Sequence, residues 1–212
     1  MRTVLIDYGA GNLHSVEKAL LAAGLPCERT DDPALAADAD ALVLPGQGHF
    51  GQVMRSFEAS GFEGVVRDHI AAGRAFLGIC VGLQLLCAHS EEAPDVPGLG
   101  ILPATVRRLA ADGVSVPQMG WNQIVRVGAS PLLDGVDDGA FVYFANSYVV
   151  EFDDADGLVG AETRYGRTRF LSAVSIDDLH ATQFHPEKSQ EVGLRILRNF
   201  GHSLRGASGR AA

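Results

Sequence analysis

The stretch AFLGICVGLQLL, residues 75–86, places one cysteine between two glycines at the point where an apolar run changes into a helical pattern. Gly78, Cys80 and Gly82 form the pattern G-x-C-x-G, which is typical of a sharp turn from a strand into a helix with a nucleophile at its tip. Glycine suits the positions two before and two after the cysteine, because side chains there would collide across the turn. The dipole of the following helix favours a thiolate. The alternative is a buried cysteine at the end of a glycine-rich strand.

Short apolar runs alternate with helical patterns around this stretch, which indicates parallel strands joined by crossover helices. The strands that we expect in this half are 4–7, 41–44 and 75–79, with helices around 13–21 and 62–70. From residue 105 the chain is rich in β-type runs, and only 192–204 is typical of a helix. The sequence therefore predicts an α/β fold: a flavodoxin-like mixed sheet, parallel in the first half and antiparallel in the second, with helices on both faces.

The length of 212 residues suits a single domain with a full core. No repeat and no linker rich in glycine, proline or serine divides the chain. We expect one domain over residues 1–204. The tail RGASGRAA, residues 205–212, lacks apolar residues large enough to pack and is expected to be disordered.

Composition and charge exclude several classes of partner. The hydrophobic fraction of 47% and the charged fraction of 20% are ordinary globular values, and no apolar run approaches the ~18 residues of a membrane span. The formal charge of −9 repels nucleic acid and polyphosphates. The N-terminal apolar run stops at Asp7 and is typical of a first strand rather than a signal peptide. We expect a cytoplasmic protein that binds neither nucleic acid nor membranes.

The cysteine content indicates neither a disulfide framework nor a metal site. Cys27, Cys80 and Cys87 are an odd number and contain no C-x-x-C pair. We expect no metal and no cofactor. Cys87 is expected in the helix that follows Cys80, and Cys27 in a second short strand, both as core residues.

A thiolate nucleophile needs a base and a group that orients the base. Five of the seven histidines are expected to be surface or core residues: four in helices (His14, His69, His89 and His202) and one in a strand (His180). His185 differs, because it ends the strand LHATQF and is followed by Pro186 and Glu187. In an extended segment His185 and Glu187 point to the same side, where the carboxylate can fix the imidazole tautomer. The alternative is a solvated surface turn.

Acyl chemistry also needs amide donors for a developing oxyanion. The amide of Val81, at the start of the helix, is one candidate. A second is the loop PGQG, residues 45–48, which a parallel sheet places at the same edge. Residues 46–51 also match G-x-G-x-x-G, a dinucleotide-binding pattern. We give that match little weight, because Pro45 interrupts the junction and the pattern is not in the first strand-to-helix turn.

The motifs GICVGLQ, PGQG and TQFHPEKS together resemble the class I, triad-type glutamine amidotransferases. DYGAGNLHS, PQMGWN and YFANSY narrow the resemblance to the glutaminase subunits of imidazole glycerol phosphate synthase, which act in histidine biosynthesis. The resemblance runs from residue 3 to about residue 204, and it implies the fold predicted above.

The resemblance implies that Cys80 attacks the side-chain amide of L-glutamine. His185 then takes and returns a proton, Glu187 holds His185, and a glutamyl thioester is hydrolysed. The oxyanion would be held by Val81 and by Gln47 or Gly48. The residues similar to the family's glutamine-binding positions are Gly46, Gln84, Asn146, Ser147 and Tyr148.

The resemblance also implies a partner, a cyclase subunit with a (β/α)₈ barrel that receives the ammonia. The residues expected to face it are Met119, Trp121, Asn122 and Lys188. This division of labour agrees with the charge, since an acidic subunit can serve a neutral amino acid while its partner binds the phosphates.

Three positions depart from the family pattern. Gln47 stands where an aliphatic residue is usual, Gln118 where a lysine often precedes MGWN, and Asn146 where a histidine usually precedes Ser-Tyr. The first matters little if only backbone amides act there. The other two leave open which interface and glutamine contacts survive.

Two alternatives remain at this point. One is a related hydrolase or stress protein with an elbow cysteine, which needs neither Gln84 nor the HPEKS segment. The other is a non-catalytic subunit that only binds a barrel. Glutamate release from glutamine separates both from the first interpretation.

Overall fold

The computed structural model describes residues 1–152 and 157–207. Within them the chain forms twelve strands, six α-helices and two short 3₁₀ turns. The strands are β1 (Thr3–Ile6), β2 (Cys27–Thr30), β3 (Ala41–Gly46), β4 (Ala75–Cys80), β5 (Cys87–Ser90), β6 (Leu102–Arg108), β7 (Gln118–Val127), β8 (Ala140–Asn146), β9 (Tyr148–Phe152), β10 (Val159–Tyr165), β11 (Thr168–Ile176) and β12 (Leu179–Thr182). The helices are α1 (Leu13–Ala22), α2 (Pro33–Ala36), α3 (Phe50–Ala59), α4 (Phe62–Ala71), α5 (Val81–Leu85) and α6 (Gln190–Ala207), and the 3₁₀ turns are Pro131–Leu133 and Pro186–Lys188.

The main sheet has nine strands in the order β2-β1-β3-β4-β12-β11-β10-β7-β8. Its first five strands are parallel, and the remaining pairs are antiparallel. The predicted α/β fold with a mixed sheet is therefore confirmed. One strand of the second half, β12, differs from the expectation because it lies parallel to β4. This places the residues that follow β12 at the same sheet edge as the residues that follow β4.

Helices cover both faces of the parallel strands, as the sequence predicts. The crossover from β1 to β2 runs in the opposite direction along the sheet from the crossovers β2–β3 and β3–β4. Because such connections are right-handed, α1 lies on one face, and α2, α3 and α4 lie on the other. Burial on both sides explains why β3 and β4 are buried along their whole length.

A second sheet of three strands, β5-β6-β9, was not expected from the sequence. It begins where we predicted the helix after Cys80 to continue. Helix α5 instead ends at Leu85, and Cys87 and His89 lie in β5. The carbonyl of Leu85 accepts from the amide of Leu99, and the carbonyl of Cys87 accepts from Gly100. Backbone bonds to this later segment replace those that a longer helix would make.

The last helix is longer than predicted. Helix α6 extends to Ala207, three residues beyond the expected end of the domain at 204. Residues 208–212 of the predicted tail lie outside the described residues. In the described part of the chain, no helix combines the length and apolar character that a bilayer crossing requires.

Candidate active site

Cys80 lies at the tip of a sharp turn between β4 and α5. Its backbone has φ 55° and ψ −108°, a strained region for a residue with a side chain. The thiol is buried within the fold, with the residue 4% exposed. Such strain persists only where the surrounding structure enforces it, so the packing around the turn explains the conformation.

Gly46, Gly78 and Gly82 allow that packing. Gly78 acts as predicted within the turn, whereas Gly46 and Gly82 allow close contact between β3 and the turn. A Cβ on Gly78 would lie 3.1 Å from the carbonyl of Gly82, as predicted for a collision across the turn. A Cβ on Gly82, however, would lie 2.0 Å from the carbonyl oxygen of Leu44 in the neighbouring β3. A Cβ on Gly46 would lie 2.6 Å from the amide nitrogen of Gly82. The turn is therefore held against the end of β3 as well as by its own strand.

His185 and Glu187 meet beside Cys80. The Nδ1 atom of His185 donates a hydrogen bond to Oε1 of Glu187 at 2.8 Å, and both side chains are almost fully buried. The segment is not extended as predicted, because Pro186–Lys188 forms a 3₁₀ turn with His185 as its N-cap. Burial of the imidazole disfavours its charged form. The hydrogen bonds and charges of Cys80 and Glu187 outweigh that burial and raise the pKa of His185 to about 10.

Two other buried histidines have a different environment. His69 donates through Nε2 to the carbonyl of Ala75, and Nδ1 of His180 bonds the hydroxyl of Ser175. Burial lowers the pKa of each of them to about 4. Both are therefore neutral structural residues at pH 7. Burial, with the charge of Glu17 nearby, raises the pKa of Cys27 to about 11, so this thiol is protonated at pH 7.

The site opens into a cavity of about 300 Å³. Its lining includes Cys80 and most of the predicted binding residues: Gln47, Gly48, Val81, Gln84, Asn146, Ser147 and Tyr148. Gly46 does not line it, because that residue is buried against the start of α5. Apolar surface makes up most of the lining, and the polar groups of Gln84, Glu92 and Asn146 stand within it, which is typical of a site for a small molecule.

Four further residues of the cavity were not predicted to line it: Glu92, Pro117, Met119 and Ala145. Glu92 is the most informative, since its Oε2 accepts from the amide of Phe50 at 2.7 Å and its carboxylate lies in the same cavity as Cys80. No motif in the sequence marks Glu92. Gln183 lies within TQFHPEKS and is buried next to Cys80, and the sequence did not predict a role for it in the site.

The loop after β3 lies at the mouth of the cavity. Gly48 has φ 119°, a left-handed conformation that favours glycine, and a Cβ built on it would lie 3.6 Å from the side chain of Val53. The hydroxyl of Tyr8 donates to the carbonyl of Pro45 at 2.7 Å and fixes the start of this loop. Burial, with the charge of Cys80 nearby, raises the pKa of Tyr8 far above its usual value, so the phenol stays neutral.

An apolar surface lies close to the cavity on β7 and β8. Met119 is 67% exposed and Trp121 is 46% exposed. Trp121 packs edge-on against Tyr143 with ring centroids 5.9 Å apart, and the ammonium of Lys188 lies 5.7 Å from the Tyr143 ring. Asn122 is not brought to this surface, because its side chain donates to the carbonyl of Arg164 on β10.

This surface is connected directly to the histidine. The amide of His185 donates to the carbonyl of Tyr143, and the amide of Tyr143 donates to the hydroxyl of Ser189. That hydroxyl in turn donates to the carbonyl of His185 at 2.7 Å. A movement of Tyr143 therefore acts on the backbone that carries the imidazole.

The two remaining departures from the family pattern lie opposite each other. Gln118 and Asn146 are register partners on β7 and β8, and both are buried. Asn146 donates to the carbonyl of Tyr148 at 2.9 Å. Neither polar atom of the Gln118 side chain has a hydrogen-bond partner among the residues that the structure describes. Among the described residues, no group of three histidine, cysteine or acidic side chains has the arrangement of a metal site.

Comparisons with known sequences agree with this geometry. The chain is 52% identical over 202 residues to the imidazole glycerol phosphate synthase subunit HisH of Deinococcus radiodurans, covering 95% of this chain and 93% of that protein. It is 48% identical over 201 residues to HisH of Aquifex aeolicus, covering 94% and 96%. It is 46% identical over 201 residues to HisH of Methanothermobacter thermautotrophicus, covering 95% and 98%.

The fold is shared with solved structures. A glutamine amidotransferase superposes with a TM-score of 0.73 at 22% identity, covering 95% of this chain and 98% of that one. PurLQS of Thermotoga maritima superposes with a TM-score of 0.72 at 16% identity, covering 98% of both chains. The family model of glutamine amidotransferase class-I matches residues 4–204. With this match over nearly the whole chain and relatives close to 50% identity, the chain belongs to the class I glutamine amidotransferase family.

Proposed function

We propose that the chain is the glutaminase subunit of an imidazole glycerol phosphate synthase. It hydrolyses L-glutamine to L-glutamate and ammonia and passes the ammonia to a cyclase subunit in histidine biosynthesis. The observation that carries this proposal is the buried His185–Glu187 pair beside Cys80, which lines a cavity of about 300 Å³. The similarity to relatives named imidazole glycerol phosphate synthase subunit HisH indicates the pathway, histidine biosynthesis. Cys27 and Cys80 form no disulfide among the described residues, which suits a reducing cytoplasm.

The triad accounts for both halves of the reaction. The sulfur of Cys80 attacks the carboxamide carbon of glutamine, and the C–N bond breaks as His185 gives a proton to the departing ammonia. A water molecule, deprotonated by His185, then attacks the thioester carbon and releases glutamate and the thiol. Glu187 fixes Nδ1 of His185, so that Nε2 is the ring nitrogen left for these transfers.

The negative oxygen of each tetrahedral intermediate needs hydrogen-bond donors. We assign this role to the amide of Val81, which directly follows the nucleophile, together with an amide of Gln47 or Gly48. All three residues line the cavity with Cys80. Because backbone amides serve, the polar side chain of Gln47 does not disturb the role.

The amino-acid end of glutamine carries an ammonium and a carboxylate, and the cavity offers groups for it. Gln84, Asn146, Ser147 and Tyr148 line the cavity, while Gly46 acts by letting the chain pass close to α5. Glu92 brings a carboxylate to the same cavity and is suited to pair with the ammonium. A neutral substrate with both charges fits these residues better than an anion does.

The partner that we propose is a cyclase with a (β/α)₈ barrel, which docks on the surface formed by Met119, Trp121, Tyr143 and Lys188. An exposed tryptophan and methionine are typical of the centre of an interface. This surface adjoins the cavity because Met119 belongs to both. Ammonia released there has a short path to a docked partner.

Co-purification with the candidate cyclase, followed by an assay of glutamate release, tests the proposal. We expect the complex to release glutamate from glutamine, and faster when the cyclase substrate is present. A related hydrolase would act without the partner, and a non-catalytic subunit would bind the partner without releasing glutamate. A stable complex that releases no glutamate would exclude the proposed function.

Replacing Trp121 by alanine is expected to weaken binding to the cyclase about tenfold or more, as for a central interface aromatic. The free subunit should remain folded, because the side chain is 46% exposed and leaves no sealed cavity. Lys188→Ala should weaken binding less, since a charge at a rim contributes little. Titration of the partner and thermal unfolding of the free chain measure the two effects.

Leu35→Ala is the matched control, because Leu35 is 48% exposed on α2, outside the proposed interface. It should change neither binding nor stability. If Trp121→Ala instead unfolds the free chain by the few kcal/mol typical of a core site, Trp121 is a core residue and the interface assignment is wrong.

Replacing Gly48 by valine tests the loop. There is room for the side chain, but φ 119° is excluded for valine, so the loop must rotate to a conformation of lower strain. The amide then leaves the oxyanion position, which costs on the order of 10² to 10³ in rate. We expect activation by the cyclase substrate to be lost while affinity for the cyclase stays within about threefold.

Gly73→Val gives the same kind of strain elsewhere, at φ 65°. Among the described residues other than its chain neighbours, no heavy atom lies within 4 Å of a Cβ built on Gly73. The variant should lower stability and leave activation unchanged. If Gly48→Val retains the wild-type ratio of stimulated to basal glutamate release, the loop is only a tight turn.

A further inference from the structure

Gln183 is a buried side chain at the catalytic cysteine that the proposed mechanism does not use. It follows the last residue of β12, and the register of Thr182 with Ile79 brings it beside Cys80. Gln183 is 0% exposed, and its backbone N–H donates to the carbonyl of Ser172 at 2.8 Å. The backbone that carries it is therefore fixed in the sheet.

The carboxamide of Gln183 bridges two residues of the site. Its Nε2 lies 3.6 Å from the sulfur of Cys80, within hydrogen-bond distance for a sulfur acceptor. Its Oε1 accepts from Nε2 of Gln84 at 3.1 Å. One buried amide thus contacts both the nucleophile and a side chain that lines the glutamine cavity.

The direction of these bonds follows from a group that can only accept. The carbonyl of Tyr148 lies 2.9 Å from Nδ2 of Asn146 and 3.4 Å from Nε2 of Gln84. A carbonyl oxygen has no proton, so Gln84 must turn its amino group toward Tyr148. That same amino group faces Gln183, which must therefore accept the hydrogen bond with its Oε1. Nε2 of Gln183 is then left to point its N–H at the sulfur of Cys80.

We propose that Gln183 is a positioning residue that holds the Cys80 sulfur and Gln84 in one hydrogen-bonded chain. Its N–H stabilises the thiolate more than the thiol, because a charged acceptor strengthens a hydrogen bond. Oε1 of Gln183 holds the amino group of Gln84. Oε1 of Gln84 is then free to accept a hydrogen bond from a donor group of the substrate in the cavity. This second part rests on the proposed function, and the first does not.

Other charged groups also act on the sulfur. His185 and Glu187 lie on the segment after β12, and the carboxylate of Glu92 shares the cavity. Burial, together with the charge of nearby Cys80, raises the pKa of the Tyr8 phenol, so the phenol is neutral. Its O–H donates to the carbonyl of Pro45 and not to the sulfur. Gln183, by contrast, is an uncharged group that donates a hydrogen bond to the sulfur. Replacing it removes that hydrogen bond and leaves the charges around the sulfur in place.

The test is the pH dependence of alkylation of Cys80 by iodoacetamide in the free chain, with Cys27 and Cys87 replaced by alanine. Thiolate sulfur displaces iodide, so the rate follows the fraction of thiolate. Gln183→Glu keeps an acceptor for Gln84 but puts a carboxylate in place of the donor. We expect the midpoint of alkylation to rise by about one pH unit, which lowers the rate about tenfold below the midpoint. Gln183→Met, which lacks both charge and donor, should shift it in the same direction by less.

Asn199→Asp is the matched control, because Asn199 is also a buried amide and donates to the carbonyls of Leu132 and Asp134. It should lower stability without moving the midpoint. A midpoint unchanged in Gln183→Glu overturns the proposal, and if that variant does not fold, an unchanged midpoint in Gln183→Met does so. The assay uses no glutamine, so its result stands apart from that of the glutamate-release assay.

Discussion

The Cys80→Ala variant is expected to lose glutamine-dependent synthesis by the cyclase complex by about a thousandfold or more, while synthesis from added ammonium salts continues at the wild-type rate. The thioester cannot form without the sulfur, whereas the cyclase needs only ammonia. Removing one member of a triad leaves only the small residual catalysis of the remaining site. Product formation from the two nitrogen sources, measured side by side, gives both rates.

Cys27→Ala is the control for this variant, since Cys27 is a thiol in β2 and its raised pKa keeps it protonated. It should retain both activities. Glutamine-driven turnover within tenfold of wild type in Cys80→Ala would show that another residue is the nucleophile. Loss of the ammonium-driven reaction as well would indicate a damaged complex rather than a missing nucleophile.

The parallel half of the fold could be predicted because its signals are local. β1, β3 and β4 are short apolar runs, and α1 and α4 each have an apolar face. The crossover rule then fixes which helices share a face. The position of β12 could not be predicted in this way. Its place beside β4 depends on pairing between residues about a hundred positions apart, for which a single sequence carries no local signal.

The failures of the sequence prediction near the site have the same origin. Apolar residues after Cys80 continue a helical pattern as far as Cys87, yet α5 ends at Leu85 because a distant segment supplies amides to its carbonyls. Likewise, Pro186 was expected to hold an extended segment, but proline is equally suited to the first position of a helical turn. In both cases tertiary contacts decided between two local conformations.

The candidate site could be predicted where a motif carries its own mechanism. The G-x-C-x-G pattern and the HPE segment led directly to the residues that the structure brings together, Cys80, His185 and Glu187. Glu92 and the role of Gln183 could not be found in this way. A glutamate in a loop and a glutamine just after a strand are common residues, and the distances to Phe50 and Cys80 are what mark these two.

The His185→Ala variant is expected to lose glutamate release nearly as completely as Cys80→Ala, by about 10³ or more. His185 is buried, bonded through Nδ1 to Glu187 and charged at neutral pH. Without it, the departing ammonia loses its proton donor and the attacking water loses its base. Glu187→Ala should be at least about tenfold milder, because the group that orients a base matters less than the base itself. Steady-state glutamate release by the loaded complex measures each loss.

A change in pH dependence separates the two roles. In the proposed mechanism a protonated His185 gives a proton to the departing ammonia, so activity falls at high pH as the imidazole loses its proton. Glu187 is one of the groups that raise the pKa of His185, and in Glu187→Gln that contribution is absent. The alkaline limit of kcat/KM should therefore move to lower pH. His202→Ala, an exposed histidine on α6, is the control and should leave both rate and profile unchanged. If Glu187→Gln lowers the rate without moving the alkaline limit, the carboxylate only supports the fold and a different group holds the imidazolium.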